Sequence, residues 1–210
     1  MKRLLAYDAV LYDANIIVLF CFYCPLRRND QSECIVELDL TDKVRKISGE
    51  LQKKGKSIRT IRVIMDELSE ELLARVVKQR ISEDEVRHSI GLKRGEPFPA
   101  TLELQMIEKG RKTARKIQAS WLNVVDFNAT SQGLSMLRQF YRNVAQDPVI
   151  HARFPRLKGV MPSEADLNLM AFSADRGMPV LTDDAHFIVP MTDLRAQGLV
   201  TEVVPLRTIA

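Results

Sequence analysis

Cysteine is scarce in this chain of 210 residues, which has three at loose spacing. An odd, scattered set does not make the disulfide framework of a small secreted domain, so we expect a reducing cytoplasm. Cys21 and Cys24 have the spacing of a redox or metal motif. They lack a second cysteine pair and lie inside an apolar run, which favours simple core packing.

The chain also lacks an apolar run long enough to cross a membrane. The run Ile16–Cys24 is far shorter than the roughly 20 residues that a membrane-spanning helix needs. Lys2 and Arg3 resemble the start of a signal peptide, but Asp8 and Asp13 interrupt the apolar region and no small-residue cleavage site follows. The sequence therefore predicts a soluble, untargeted protein with no membrane contact.

Internal repeats, low-complexity segments and a phosphate-binding P-loop are absent as well. Gly91 and Gly95 are not followed by Gly-Lys-Ser or Gly-Lys-Thr, which excludes the P-loop. What is present is an ordinary globular composition, 46% apolar and 28% charged. The length suits one large domain over residues 1–210, and the net charge of +4 indicates a modest preference for polyanions.

Strand patterns and helix patterns alternate along the chain. The predicted strands are Ala9–Tyr12, Ser57–Ile64, Val124–Phe127, Met178–Leu181 and Thr201–Leu206. The predicted helices are Asn15–Cys24, Asp39–Gly55, Met65–Lys78, Ser82–His88, Thr101–Leu122, Ser131–Val144 and one that Ser163 begins and Gly177 ends. Asp147–Met161 is predicted to be irregular and basic. This alternation predicts an α/β fold, with a mostly parallel sheet, helices on both faces, and a helical elaboration at about 81–126.

Four carboxylates are predicted to meet at one edge of that sheet. Asp13, Glu67 and Asp184 each follow a predicted strand, and Asp166 opens the helix before the last of these strands. The carboxyl ends of parallel strands share one edge, where open α/β sheets bind their ligands. The simpler alternative is that Asp166 only caps its helix, that Glu67 is a favourable charge near a helix start, and that Asp183 and Asp184 only form a turn.

A cation is expected among these acids, because unpaired carboxylates at close quarters repel one another. Oxygen ligands select hard ions such as Mg²⁺ or Mn²⁺, which keep several waters and commonly meet phosphates. The chain has 31 Lys and Arg against 27 Asp and Glu, so without these four acids its net charge of +4 becomes +8. An acidic metal site in a basic protein suits a substrate with a phosphate backbone.

Four segments of the chain resemble the PIN-domain nucleases in their order and in their apolar surroundings. They are Leu11-Tyr-Asp13-Ala-Asn15-Ile-Ile, Val63-Ile-Met-Asp-Glu67-Leu, Asp166-Leu-Asn-Leu-Met-Ala171 and Leu181-Thr-Asp-Asp184-Ala-His-Phe187. The Thr-x-Asp-x-x-Phe element in the last segment is the most specific. The resemblance covers about the first 80 and the last 50 residues.

The resemblance implies a PIN-like fold and a metal-dependent endoribonuclease. Asp13, Glu67, Asp166 and Asp184 would bind one or two Mg²⁺ or Mn²⁺ ions, with Asp13 and Asp184 as the inner ligands. Asp66 stands beside Glu67 and could serve in its place. The ions would orient a water, lower its pKa and stabilise the charge that develops on the phosphate, with no covalent intermediate.

Three further residues would support these acids. Asn15 and Thr182 would hydrogen-bond to the ligands and orient them, as would Asp183. Asp183 stands where many PIN-domain relatives carry Asn, so the choice between Asp183 and Asp184 as ligand stays open. His186 lies close by, but a packed or surface role is the commoner one for such a histidine.

The resemblance also implies a substrate and partners, and two alternative functions stay open beside it. RNA is preferred over DNA as the substrate, and an inhibitory partner protein of the toxin–antitoxin kind and a homodimer stay open. One alternative is a non-catalytic PIN-like module that binds RNA or protein. Another makes Asp13 the nucleophile of a phosphatase or receiver domain, but Asp13-Ala-Asn15 lacks the Asp-x-Asp form and no paired lysine is evident.

The long helix of the elaboration is predicted to bind nucleic acid. Its inward arc contains Met106, Ile107, Ala114, Ile117 and Trp121. Its basic face contains Lys109, Arg111, Lys112, Arg115 and Lys116. Gly110 could break the helix and split this face, because glycine costs about 1 kcal/mol in a helix interior. A solvated face with no partner is the alternative.

Overall fold

Parallel strands form one sheet in the part of the chain that the structure, a computed structural model, describes: residues 1–21, 38–81, 92–93, 95–154, 157 and 161–209. The strands are β1 Ala9–Tyr12, β2 Ser57–Ile61, β3 Leu122–Val125, β4 Pro179–Thr182 and β5 Glu202–Pro205. They lie in the order β3-β2-β1-β4-β5, and every neighbouring pair is parallel. The predicted α/β class with a parallel sheet is confirmed.

Helices make up most of the remaining described residues. They are α1 Lys2–Leu5, α2 Ala14–Cys21, α3 Leu38–Lys53, α4 Arg62–Glu67, α5 Leu73–Ile81, α6 Ala100–Ser120, α7 Ser131–Gln146, α8 Pro148–Arg153, α9 Glu164–Arg176, α10 Ala185–Ile188 and α11 Met191–Ala196. A π-helical turn, Leu68–Leu72, joins α4 to α5. None of the helices in the described part of the chain is both long enough and apolar enough to cross a membrane.

Both faces of the sheet are covered. Every residue of β1 and of β4 is buried. Because successive side chains of a strand point to opposite faces, such unbroken burial requires packing on both sides. The strand order also reverses at β1, since the chain adds β2 and β3 on one side of it and β4 and β5 on the other. A crevice at such a reversal is the usual ligand site of an open parallel sheet.

The second predicted strand is too long. Ser57–Ile64 was expected, but β2 ends at Ile61 and the next three residues form the first turn of α4. Val63 and Ile64 have β-branched side chains that suit a strand locally, yet Ile64 is fully buried as a helical residue. Glu67 therefore lies in the second turn of a helix, not at its start.

The segment Asp147–Met161 is not wholly irregular, because α8 lies within it. The Asp147 carboxylate accepts hydrogen bonds from the amides of Val149 (2.8 Å) and Ile150 (3.2 Å), and Pro148 takes the first helical position. Both are ordinary features of a helix start. The prediction of an irregular segment is wrong for these residues.

The segment 81–126 contributes to the central sheet as well as carrying a helix. Its strand was predicted as Val124–Phe127, but β3 begins two residues earlier, at Leu122, and pairs with β2 at the sheet edge. The preceding helix, α6, packs against α2 and α5. Cys21 is buried in α2, whereas Cys24 and the predicted helix Ser82–His88 lie outside the described residues.

Candidate functional site

The structure brings the four predicted acids together. Asp13, Glu67, Asp166 and Asp184 line one cavity of about 290 Å³, which we call the carboxylate cavity. Asp13 follows β1, and Asp184 follows β4 and precedes α10. The cavity therefore lies at the carboxyl edge of the sheet, beside the reversal of the strand order.

Strand register determines the position of Asp13. Tyr12 is paired with Leu181, and the Asp13 amide donates to the Leu181 carbonyl, so Asp13 and Thr182 are the next neighbours. One Asp13 carboxylate oxygen accepts from the Thr182 hydroxyl (2.6 Å), and the other accepts from the Ala14 amide (2.6 Å). With both oxygens bound and only 2% of its surface exposed, Asp13 has one defined orientation.

Thr182 and Asn15 connect the end of β4 to the start of α2. The Thr182 hydroxyl oxygen accepts hydrogen bonds from the Asn15 side-chain amide (3.3 Å) and from the Asp184 backbone amide (2.9 Å). The Asn15 carbonyl oxygen in turn accepts from the Asp183 amide (3.3 Å). Thr182 thus contacts Asp13 through its side chain and Asp184 through the Asp184 backbone.

His186 is part of the site, and sequence reasoning had treated it as a packed or surface residue. One Asp184 carboxylate oxygen accepts from the His186 amide (2.6 Å) and lies 2.9 Å from the ring nitrogen Nδ1 of the same histidine. The Tyr141 hydroxyl donates to the His186 carbonyl (2.6 Å). The available signal was the spacing, because an Asp that caps a helix often accepts from the amide two residues later.

Asp166 is both a capping residue and a member of the cavity. Its amide donates to the Ser163 hydroxyl (3.1 Å), and its carboxylate oxygen Oδ2 accepts from the Ser163 amide (3.0 Å), which is the predicted capping box. The Ser163 hydroxyl also lies 3.5 Å from a carboxylate oxygen of Glu67. The two alternatives for Asp166, cap or site residue, are therefore compatible.

The two pairs of neighbouring acids differ in position. The Asp183 carboxylate accepts from the Arg207 guanidinium (2.7 Å) and does not line the carboxylate cavity, whereas Asp184 does. Asp66 is exposed and also lies away from the cavity, whereas Glu67 lines it. Each pair thus contributes one acid to the cavity.

The acids of the cavity perturb one another. Burial, together with the charge of Asp166, raises the pKa of Asp13 and that of Glu67, and burial with the charge of Asp184 raises the pKa of Asp166. Burial also acts to raise the pKa of Asp184, but the hydrogen bonds and charge of His186 outweigh it, so this pKa is lowered. Burial is thus the main cause of the raised pKa values, and repulsion between neighbouring carboxylates adds to it.

Ligating geometry for a metal ion is not present in the described part of the chain: no three His, Cys, Asp or Glu side chains are grouped so that they could hold one ion. The four acids line a common space without converging on one point. Arg75 and Ser163, two polar residues that the sequence analysis does not assign to the site, line the same space.

The basic face of α6 is exposed for most of its length. Lys109, Lys112, Arg115 and Lys116 are exposed, and the helix continues unbroken through Gly110, which is buried. The inward arc packs as expected, with Met106, Ile107, Ala114 and Ile117 buried and Trp121 half-buried just beyond the helix end.

Arg111 differs from the other basic residues of this helix. It is half-buried, and its guanidinium donates to the Ser69 carbonyl (3.0 Å) in the π-helical turn. This contact holds α6 against the turn that follows Glu67. Arg111 therefore takes part in the packing of the helix as well as in its basic face.

Comparison with known proteins does not assign a function to this site. Comparisons of the chain with models of protein families, with curated proteins and with solved structures find no match. The resemblance to PIN-domain nucleases thus remains a prediction that rests on the four motif segments.

Proposed function

We propose that this protein is a Mg²⁺- or Mn²⁺-dependent nuclease that hydrolyses phosphodiester bonds, and within that class an endoribonuclease. The observation that carries the proposal is the shared cavity of Asp13, Glu67, Asp166 and Asp184. These acids come from distant parts of the chain, and they meet where an open parallel sheet ordinarily binds its ligand. Burying like charges together is costly without a cationic ligand, which supports a metal-binding role.

The donor chemistry of the cavity fits a hard divalent ion. Its acids offer carboxylate oxygens, and Mg²⁺ commonly takes one or two protein carboxylates and keeps several of its waters. Such an ion does not require three protein ligands at one point, so the spread arrangement of the acids is compatible with binding through water. When bound, the ion would activate a water and stabilise charge on the phosphate.

The groups that hydrogen-bond to the acids would orient them and would not take part in the reaction. Thr182 and the Ala14 amide hold both oxygens of Asp13, and His186 holds one oxygen of Asp184. The Ser163 amide occupies one oxygen of Asp166. A carboxylate that is held in this way loses little freedom when it binds a cation, which favours affinity.

The substrate class rests on charge and on the resemblance. The exposed basic residues of α6 would bind the phosphate backbone, although Arg111 is partly occupied by Ser69. The preference for RNA comes from the likeness of the motifs to PIN-domain nucleases. An inhibitory partner protein, a homodimer and a cytoplasmic location belong to the same proposal.

A non-catalytic nucleic-acid-binding module is the second candidate. The observation that favours it is the absence, among the described residues, of three side chains grouped to hold one metal ion. The phosphatase alternative has less support. Both Asp13 oxygens accept hydrogen bonds, which weakens it as a nucleophile, and no lysine is among the described residues that line the cavity.

Cleavage assays separate these candidates. Purified protein is incubated with end-labelled single- and double-stranded RNA and DNA in Mg²⁺, Mn²⁺ or EDTA, beside the Asp13→Asn and Asp184→Asn variants. We expect internal cleavage of RNA that EDTA and each substitution abolish, since an amide is a poorer ligand for Mg²⁺ than a carboxylate. RNA binding without any cleavage would favour the second candidate, and undiminished activity in both variants would remove the metal-site proposal.

A further inference from the structure

Arg75 lines the carboxylate cavity. It shares this space with Asp13, Glu67, Asp166 and Asp184. His186 is the only other basic side chain among the described residues of the lining, and it is already engaged with Asp184. A guanidinium has no lone pair to offer a metal ion, so Arg75 would not act as a metal ligand in this cavity.

The π-helical turn is what places Arg75 in the cavity. In a regular α-helix, Arg75 would point about 80° away from Glu67, because eight residues at 100° each exceed two full turns. The Leu73 amide donates to the Leu68 carbonyl, five residues back, which marks one extra residue in this turn. With that extra residue absorbed in the turn, Glu67 and Arg75 are oriented like residues seven apart in a regular helix. Their side chains then point in directions that differ by only about 20°.

Among the described residues, Arg75 has no fixed partner that would explain its position. Its guanidinium makes no hydrogen bond or ion pair with any of them, and Arg75 as a whole is an exposed residue. Its charge does act on Glu67, where it opposes the effect of burial on the pKa of that acid. Arg75 is therefore held near the acids by its helix and remains able to contact an incoming group.

An anionic substrate needs such a group. A phosphodiester that approaches four carboxylates meets local repulsion, which a cation on the protein would offset. The guanidinium fork matches two phosphate oxygens, and it stays charged at any pH at which the protein is folded. Lysine offers only a point charge in the same role.

We propose that Arg75 binds the substrate phosphate at the carboxylate cavity and stabilises the negative charge that develops on it during cleavage. This inference rests on the proposed nuclease function and names a contact within it. Arg75 forms no covalent bond and transfers no proton. It donates hydrogen bonds to phosphate oxygens that do not leave.

The test compares Arg75→Gln and Arg75→Lys with a matched control, Lys78→Gln. Lys78 is an exposed cation on the same helix that does not line the cavity, so both glutamine variants lose one positive charge. We expect Arg75→Gln to lower kcat about 100-fold, the usual loss for one donor to a developing charge, and Lys78→Gln to leave kcat unchanged. Arg75→Lys should keep part of the activity.

Two further measurements distinguish a phosphate contact from a structural role. Millimolar guanidinium ion should restore part of the activity of Arg75→Gln but not change that of the control. In EDTA, where nothing is cleaved, fluorescence anisotropy should show single-stranded RNA binding about tenfold more weakly to Arg75→Gln than to the control.

The outcomes also separate this inference from the nuclease proposal. If the protein cleaves RNA and Arg75→Gln matches Lys78→Gln in kcat, rescue and affinity, the Arg75 inference alone is overturned. If the protein cleaves nothing but Arg75→Gln alone loses RNA affinity, the nuclease proposal fails and the phosphate contact stands. Tighter Mn²⁺ binding by Arg75→Gln with unchanged kcat would make Arg75 only a counter-ion of the acids and overturn the inference.

Discussion

The Thr182 hydroxyl donates a 2.6 Å hydrogen bond to the Asp13 carboxylate, although the two residues are 169 positions apart in the chain. Each directly follows one member of the pair Tyr12 and Leu181, where β1 and β4 run side by side. The bond therefore joins the carboxyl ends of two strands at the reversal of the strand order. Sheet register, and not a loop, determines where the Asp13 carboxylate lies.

Replacing Thr182 by Val should destabilise the protein by about 1–3 kcal/mol at neutral pH, because it leaves the buried Asp13 carboxylate with one donor fewer. The free energy of unfolding in urea is the measurement. Thr60→Val is the matched control, since Thr60 is also fully buried in the sheet but its hydroxyl has no hydrogen-bond partner in the described part of the chain. We expect the control to be neutral or stabilising. Equal losses in the two variants would contradict the role assigned to the Thr182 bond.

In each pair of neighbouring acids, Asp183 with Asp184 and Asp66 with Glu67, we expect only one member to be needed for cleavage. Asp184→Asn and Glu67→Gln should lose activity because these side chains line the cavity. Asp183→Asn should keep it, because that carboxylate pairs with Arg207 outside the cavity. Initial rates of RNA cleavage under saturating Mg²⁺ are the measurement.

Asp66→Asn serves as the control for Glu67→Gln, since Asp66 is exposed and away from the cavity. An exposed ion pair such as that of Asp183 contributes about 0–1 kcal/mol, so Asp183→Asn should remain folded. Loss of cleavage in a folded Asp183→Asn variant would mean that this carboxylate turns into the cavity when substrate binds.

Stability without metal should fall as the pH rises above about 4. The pKa values of Asp13, Asp166 and Glu67 are raised by burial and by neighbouring charge. The folded protein therefore binds these protons more tightly than the unfolded chain does, and protonation stabilises the fold. This stabilisation is complete below the ordinary pKa, which is 3.8 for Asp, and it is lost as the pH rises through the raised pKa values. The pKa of Asp184 is lowered, so its opposite contribution is lost only below that ordinary value.

Urea unfolding in EDTA across this pH range measures the decline. Asp13→Asn should make the decline shallower, because the variant no longer buries a charge there as the pH rises. Millimolar Mg²⁺ should reduce the decline in the unaltered protein and much less in the variant. A stability that rises steadily from pH 4 to neutrality in EDTA would contradict the charge arrangement described for the cavity.

Reversing two charges on the basic face of α6 should weaken nucleic-acid binding and flatten its salt dependence. Lys112→Glu with Lys116→Glu removes about two phosphate contacts, which should reduce the slope of log affinity against log salt by about 1.4 for single-stranded RNA. Lys46→Glu with Lys54→Glu makes the same change of charge at exposed positions in and just after α3. If both double variants change the slope equally, the effect comes from net charge and not from a binding face.

Local sequence signals were sufficient for the class of the fold and for the elements that carry the acids. The buried strands around Tyr12 and Leu181 are short apolar runs, and the capping box of Ser163 and Asp166 depends only on residues three apart. Because parallel strands end at one edge, the sequence alone predicts that Asp13 and the acids beyond β4 lie near each other.

Tertiary packing decided which side chains enter the cavity. Of two adjacent aspartates, Asp184 lines the cavity while Asp183 reaches Arg207, a partner 24 residues further along the chain. Residues after Ile61 are helical and bury Ile64 completely, although their side chains suit a strand as well. The orientation of the two aspartates and the helix after Ile61 both depend on contacts with distant residues. Neither could be predicted from the neighbouring sequence.

The clearest case is Arg75, whose place in the cavity depends on one extra residue in the turn after Glu67. Helical periodicity alone separates these two side chains by about 80°, and the π-helical turn reduces the offset to about 20°. The Ser69 carbonyl in that turn accepts from Arg111 of a distant helix. The sequence by itself therefore determined the fold class, the parallel sheet and the edge where the acids gather, whereas the geometry of the folded turn after Glu67 decided which cation joins them.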